Sequence, residues 1–176
     1  MKRKFKQIDS EISLILDDYD DLFSDFDPRP YSEKALSDDF LEEAKRASRD
    51  KYIGVTLILL VPKKLRRVSE ENLIKKRLCE HFKKHYKKIG ADINSIKRKG
   101  LFMALLGAFL ITIATYLSSL QSQNISIHFL KVLLEPAGWF TGWTGLDHII
   151  YVAGGKKNDF EFYEKMSKCR ISFMGY

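Results

Sequence analysis

The sequence predicts an α+β domain, a small sheet with helices, joined to a two-helix transmembrane hairpin. Three observations lead there. The chain of 176 residues carries 30 Lys and Arg and 23 Asp and Glu, yet only Lys131, Glu135 and Asp147 of these lie between Gly100 and Gly155. No charged side chain occurs in the 31 positions from Gly100 to Leu130. Short runs with strand patterns, at 12–16, 52–61 and 169–174, all fall outside that block. Such a partition makes a disordered chain and a wholly soluble single domain both poor readings. The predicted organisation is an N-terminal part over 1–99, a hairpin over 100–155 and a returning tail over 156–176.

Taken in order, Ile12, Leu14 and Leu16 alternate with smaller or outward residues in a strand that ends at Asp17 and Asp18. Ser37 is a good N-cap for a helix from Asp38 to about Arg49, with acids in its first turns and Lys45, Arg46 and Arg49 near its end. Tyr52–Val61 is β-branched and apolar, too short to span a bilayer and stopped by Pro62, so it reads as a buried central strand. Ser69, Glu70 and Glu71 open a long helix whose Ile74, Leu78, Phe82, Tyr86, Ile89, Ile93 and Ile96 recur at steps of three and four. Gly90 and Gly100 are the candidate breaks before the first span.

Gly100–Leu120 has 21 residues, about 31 Å as a helix, against a hydrocarbon core of roughly 30 Å. A core helix is the alternative, but so small a domain has no interior that hides such a helix on every face. A proline is tolerated in a first helical turn, so Pro136 suggests a second span from about Glu135 to Ala153, with Ile125–Leu134 as an outer approach. A continuous helix from His128 kinked at Pro136 is the competing reading. Gly154 and Gly155 are read as the end of that helix, Asn158 as the cap of a short one from Asp159, and Cys169–Met174 as a strand returning to 12–16 or 52–61. Lys97, Arg98 and Lys99 precede the first span, Lys156 and Lys157 follow the second, and Gln121–Ser126 between them is uncharged. The positive-inside bias then puts both termini in the cytoplasm of a multi-pass inner-membrane protein.

The part before the spans is electrically divided. Asp9–Glu43 nets −11 and Lys63–Lys99 nets +10, so the halves are expected to face each other or to set the basic half on anionic headgroups. The stripe of Lys75, Lys76, Arg77, Lys83, Lys84, Lys87 and Lys88 has a density that suits nucleic acid as well. Lipid, or the acidic segment Asp17–Asp27, is the more economical partner next to a span.

The order of Asp21, Leu22 and Phe23 with Phe26, Asp27 and Pro28, then His81 and Phe82, then Glu135, Gly138, Trp139, Trp143, Asp147 and Tyr151 resembles a family of uncharacterised small prokaryotic two-span membrane proteins with a cytoplasmic α+β domain. The resemblance implies architecture and transfers no activity. Where that family often has Arg and Pro after the second Trp, this chain has Thr144 and Gly145.

Within the second span, Gly138, Thr141, Gly142 and Gly145 make a small-residue stripe beside Trp139 and Trp143, and the Gly138 to Gly142 spacing lets helix backbones approach closely. This reads as a helix interface, within the hairpin or between protomers. Glu135, Asp147 and His148 are the intramembrane polar candidates, for a pore or for anchoring and hydrogen bonding between protomers. Lys131, four residues before Glu135, is placed to pair with it. His81 and His85 lack a third ligand by spacing and read as a solvated helix face. Cys79 and Cys169 read as reduced thiols. No phosphate-cradling glycine loop, nucleophile elbow or dinucleotide fingerprint occurs, so neither an enzyme nor a cofactor is expected. The leading expectation is an oligomeric scaffold or regulated pore. The runner-up is a membrane-tethered sensor or accessory module, for example in antiviral defence, whose basic helix binds RNA, a nucleotide or an effector protein.

Overall fold

A computed structural model describes residues 11–51, 54–120 and 124–176. Two compact units make up the chain: the described residues up to Lys87 together with Asp159–Tyr176, and Lys88–Asn158.

The first unit is a mixed α/β layer. Its strands β1 (Glu11–Ile15), β2 (Thr56–Val61) and β3 (Arg170–Gly175) form one sheet in the order β1-β2-β3, parallel throughout. Ile12 stands opposite Leu57, and Leu57 opposite Ile171. Parallel strands need long crossovers; here α1 (Asp38–Ala47) lies in the first, and everything from α2 to α5 lies in the second. The expected small sheet with helices is present; its parallel pairing makes it α/β rather than α+β, which alternating polarity along a strand does not encode. The central position of the Tyr52–Val61 run holds for its described part, while Tyr52 and Ile53 lie outside the described residues. β3 pairs with β2 alone, so the alternative partner at 12–16 is not used.

One sheet face carries the core. Ile12 on β1, Leu57, Leu59 and Val61 on β2 and Phe173 on β3 are all buried, as alternation requires. Over them lie Phe40 and Ala44 of α1, Ile74, Leu78 and Phe82 of α2 (Val68–Ser119), and Phe162 and Met166 of α5 (Lys157–Ser167). Ile74, Leu78 and Phe82 are the first three members of the predicted stripe, and each is wholly buried. Ser37 precedes α1 as expected, although its carbonyl, accepting from Leu41 N at 3.1 Å, makes the contact and its hydroxyl does not. The acidic loop is tied down locally: Asp27 accepts from Arg29 Nη2 and from Ala35 N, each at 2.7 Å, while Leu22 and Phe23 enter the core.

The second unit is helical. α2 runs through Gly90 and Gly100 without a break. α3 (Ile125–Asp147) is followed by a wide π turn at His148–Val152 and a single α turn, α4 (Ala153–Gly155). Two sequence readings are corrected. The helix does not begin at Glu135; it begins ten residues earlier, where the Asn124 side chain accepts from Ser126 N at 3.0 Å, and Pro136 lies inside it. An Asn with a free side-chain oxygen is a stronger start signal than a proline that a helix can also absorb internally. Gly155 does end the helical run, as read, but α5 starts at Lys157 rather than after an Asn158 cap.

Candidate functional site

In the second unit, α2 and α3 touch, and glycine sets how closely. A Cβ on Gly107 would stand 2.6 Å from the carbonyl oxygen of Gly138 and from Cα of Gly142. One on Gly145 would meet Gly100 O at 2.6 Å, and one on Gly138 would meet Ile111 Cγ1 at 2.7 Å. Helix backbones touch in this way only where side chains are absent. Farther along, Lys156 Nζ bonds Asp92 Oδ2 at 3.1 Å. Of the residues singled out in the sequence, Gly138 and Gly145 are buried at this contact. Their partners Gly100 and Gly107, two turns apart on α2, are packing positions that sequence reasoning did not assign to this contact; their seven-residue spacing within an apolar helix was the available signal.

Gly142 differs from its neighbours. It offers its backbone to Gly107, but nothing lies within 4 Å of where its own Cβ would be. That open side belongs to an apolar groove of about 270 Å³, floored by Ala104, Ala108, Gly138 and Gly142 and rimmed by Trp139 and Trp143. Both tryptophans are exposed. Thr141 is half-buried and does not line the groove.

The register of the two helices fixes the level of the polar residues. His148 and Ile149 stand beside Gly100, the first residue of the charge-free block, with Asp147 next to them in sequence, and His148 Nδ1 donates to Thr144 O at 2.9 Å. Asp147 lies in a second shallow groove with Trp143 and Tyr151. Glu135 is level with the turn around Thr112, and ten residues of α3, about 15 Å of helix, precede it. The sequence reading put it near the start of a helix; α3 starts ten residues earlier, so Glu135 lies well inside it. Glu135 is exposed, and among the described residues no hydrogen bond or ion pair holds it or Lys131, so the expected pair within the helix is absent.

The basic stripe of α2 is split in two by the first unit. Lys75 sets its ammonium 5.6 Å from the ring centroid of Phe173, and Arg77 Nε donates to Lys34 O at 3.0 Å, so both serve the fold. Lys76, Lys83, Lys84, Lys87 and Lys88 are exposed. The acidic and basic halves meet through Tyr19, whose hydroxyl donates to Glu71 Oε1 at 3.2 Å and accepts from Arg67 N at 2.9 Å. Among the described residues no ion pair joins an acid of 9–43 to a base of 63–99. Glu71, buried, instead binds Arg66, whose guanidinium holds its carboxyl below the ordinary value.

The histidines are not a solvated face. His81 stacks on His85 at 4.2 Å, His85 stacks on Tyr163 at 5.1 Å, and His81 Nε2 is buried without a hydrogen-bond partner. Burial first, then repulsion from His85, Arg77 and Lys84, pushes the His81 imidazole down to about 4 from 6.5. The unfolded chain therefore binds the proton more tightly. The stability linked to neutral His81 is complete above pH 6.5, declines as the pH falls, and levels off near pH 4. Urea midpoints of the wild type should fall between pH 7 and pH 5 by more than those of His81→Phe; equal falls would refute the assignment. Cys79 and Cys169 are neighbours as well, and burial first, with Cys79 second, pushes the Cys169 thiol up to about 12. Among the described residues no group of three or more His, Cys, Asp and Glu is placed to hold a metal.

Comparison with protein-family models, with curated proteins and with solved structures finds no match to this chain.

Proposed function

We propose that this chain is an oligomeric integral membrane protein, a scaffold or a regulated pore rather than an enzyme, with α2 and α3 crossing the inner membrane as a hairpin and both termini cytoplasmic. One observation carries the reading. Among the described residues α2 alone reaches the length and hydropathy of a spanning helix, and only 17% of its apolar window is buried within the chain; the crossing of α3 is inferred from its exposed apolar side chains beside it. Phe102, Leu105, Phe109 and Tyr116 of α2, and Phe129, Val132, Leu133 and Phe140 of α3, are each more than half exposed. Apolar area of this extent stays in water only at a cost of about 25 cal/mol per Å²; acyl chains remove that cost, and the backbone of both helices is bonded within each helix, as a bilayer demands. Lys97–Lys99 and Lys156 with Lys157 mark the cytoplasmic ends.

The test is extraction of membranes from cells making the full chain. The protein is expected to stay in the pellet in alkaline carbonate and to dissolve in detergent; release by carbonate refutes the reading. Ion flux into liposomes, abolished by Glu135→Ala, would select the pore over the scaffold.

A second reading is favoured by the exposure of Lys76, Lys83, Lys84 and Lys87 on one helix: a tethered module whose α2 binds RNA or another polyanion. Binding would then weaken steeply with salt.

A further inference from the structure

The unpartnered charges of α3 lie in line with its open groove. Lys131 and Glu135 are four residues apart, Glu135 is three before Gly138 and four before Trp139, and the row continues through Gly142. Ala104 with Ala108 and Gly138 with Gly142 are two small-residue pairs, one on each helix, that open on the same groove. We propose that this face receives a second copy of the chain about a two-fold axis, with Lys131 of each copy paired to Glu135 of the other and the groove of each copy seating the α3 helix of its partner. The inference rests on the membrane reading above and takes its scaffold branch.

Charge complementarity selects the occupant. A two-fold interface must match itself, and a row that carries one cation and one carboxylate one turn apart does so with reciprocal pairs. A pair confined to one helix would leave most of the three ammonium donors and the carboxylate lone pairs unsatisfied where no water is available. Four charges around an axis give each ion two opposite neighbours. The open side of Gly142 then admits a helix of the partner at close range, which a lipid chain would not require, and the exposed Trp139 and Trp143 gain a covered face.

The experiment measures association of the full chain in liposomes, by energy transfer between labelled copies across a range of protein-to-lipid ratios. Lys131→Glu alone and Glu135→Lys alone are each expected to weaken association about tenfold, the scale of one or two interhelical polar contacts. Mixed together, the two single variants should associate with each other as tightly as the wild type does, an outcome that a pair within one helix cannot produce. Gly142→Leu should also abolish association while helix content by circular dichroism stays unchanged. A carbonate-resistant chain that is monomeric at every density, or single variants that fail to complement, overturns the interface and leaves the membrane reading standing. Release from the membrane by carbonate refutes that reading, and the interface with it.

Discussion

Gly107→Leu is expected to force α2 and α3 apart and to destabilise the helical unit by about 3 kcal/mol, the upper end of ordinary overpacking. The reason is what the new side chain meets. Its Cβ would stand 2.6 Å from two backbone atoms of α3, Gly138 O and Gly142 Cα. Backbone in a helix cannot step aside as a side chain can. Gly142→Leu, across the same contact, is the control at a detergent dilution where the wild type is monomeric, because within the chain its Cβ enters open space. The readout is built into the sequence: both tryptophans, Trp139 and Trp143, are on α3. Thermal titration followed by their emission should show the Gly107 variant melting well below the wild type and the Gly142 variant close to it. Equal melting of the two variants would mean that the helices do not approach at Gly107.

Phe82→Ala should cost about 3–5 kcal/mol, the range for emptying a buried aromatic site. Phe82 is wholly buried and meets Phe162 edge to face at 6.2 Å between ring centroids. It ties α2 to α5 over the core face of the sheet, so the cavity would open at the centre of the first unit. A small domain has only about 5–15 kcal/mol in all. The amide protons of β2 should then lose most of their protection in hydrogen exchange. Protection unchanged from the wild type would show that the neighbouring side chains close the gap.

How far these features could be read in the sequence depends on whether neighbours along the chain encode them. Ile74, Leu78 and Phe82 repeat at helical spacing, and their burial follows from that repeat. Leu57, Leu59 and Val61 fall on one face because a strand has a period of two. Strand direction has no such local signature: whether Cys169–Met174 lies parallel or antiparallel depends on where the preceding helices deliver it. The start of α3 was misread because Pro136 satisfies two rules, first helical turn and internal kink, while the Asn124 cap sits in a polar stretch that resembled a loop. Of the candidate site, Gly138 and Gly145 were legible as contacts. The distinct role of Gly142 was not, since three-dimensional register alone decides which glycine of a stripe faces the companion helix and which faces outward. His81 was misjudged for a similar reason: the ring that shields it, Tyr163, comes from the other end of the chain.

The centre strand of the sheet has its two companions far apart in the sequence, β1 before α1 and β3 after α5. β1 and β2 emerge early, but β3, which completes the pairing by setting Phe173 beside Leu59, emerges behind every apolar helix in the sequence. During synthesis one flank of β2 therefore stays unpaired until α2 and α3 have both been made. Slow final closure over so long an intervening segment is the kinetic consequence of this topology.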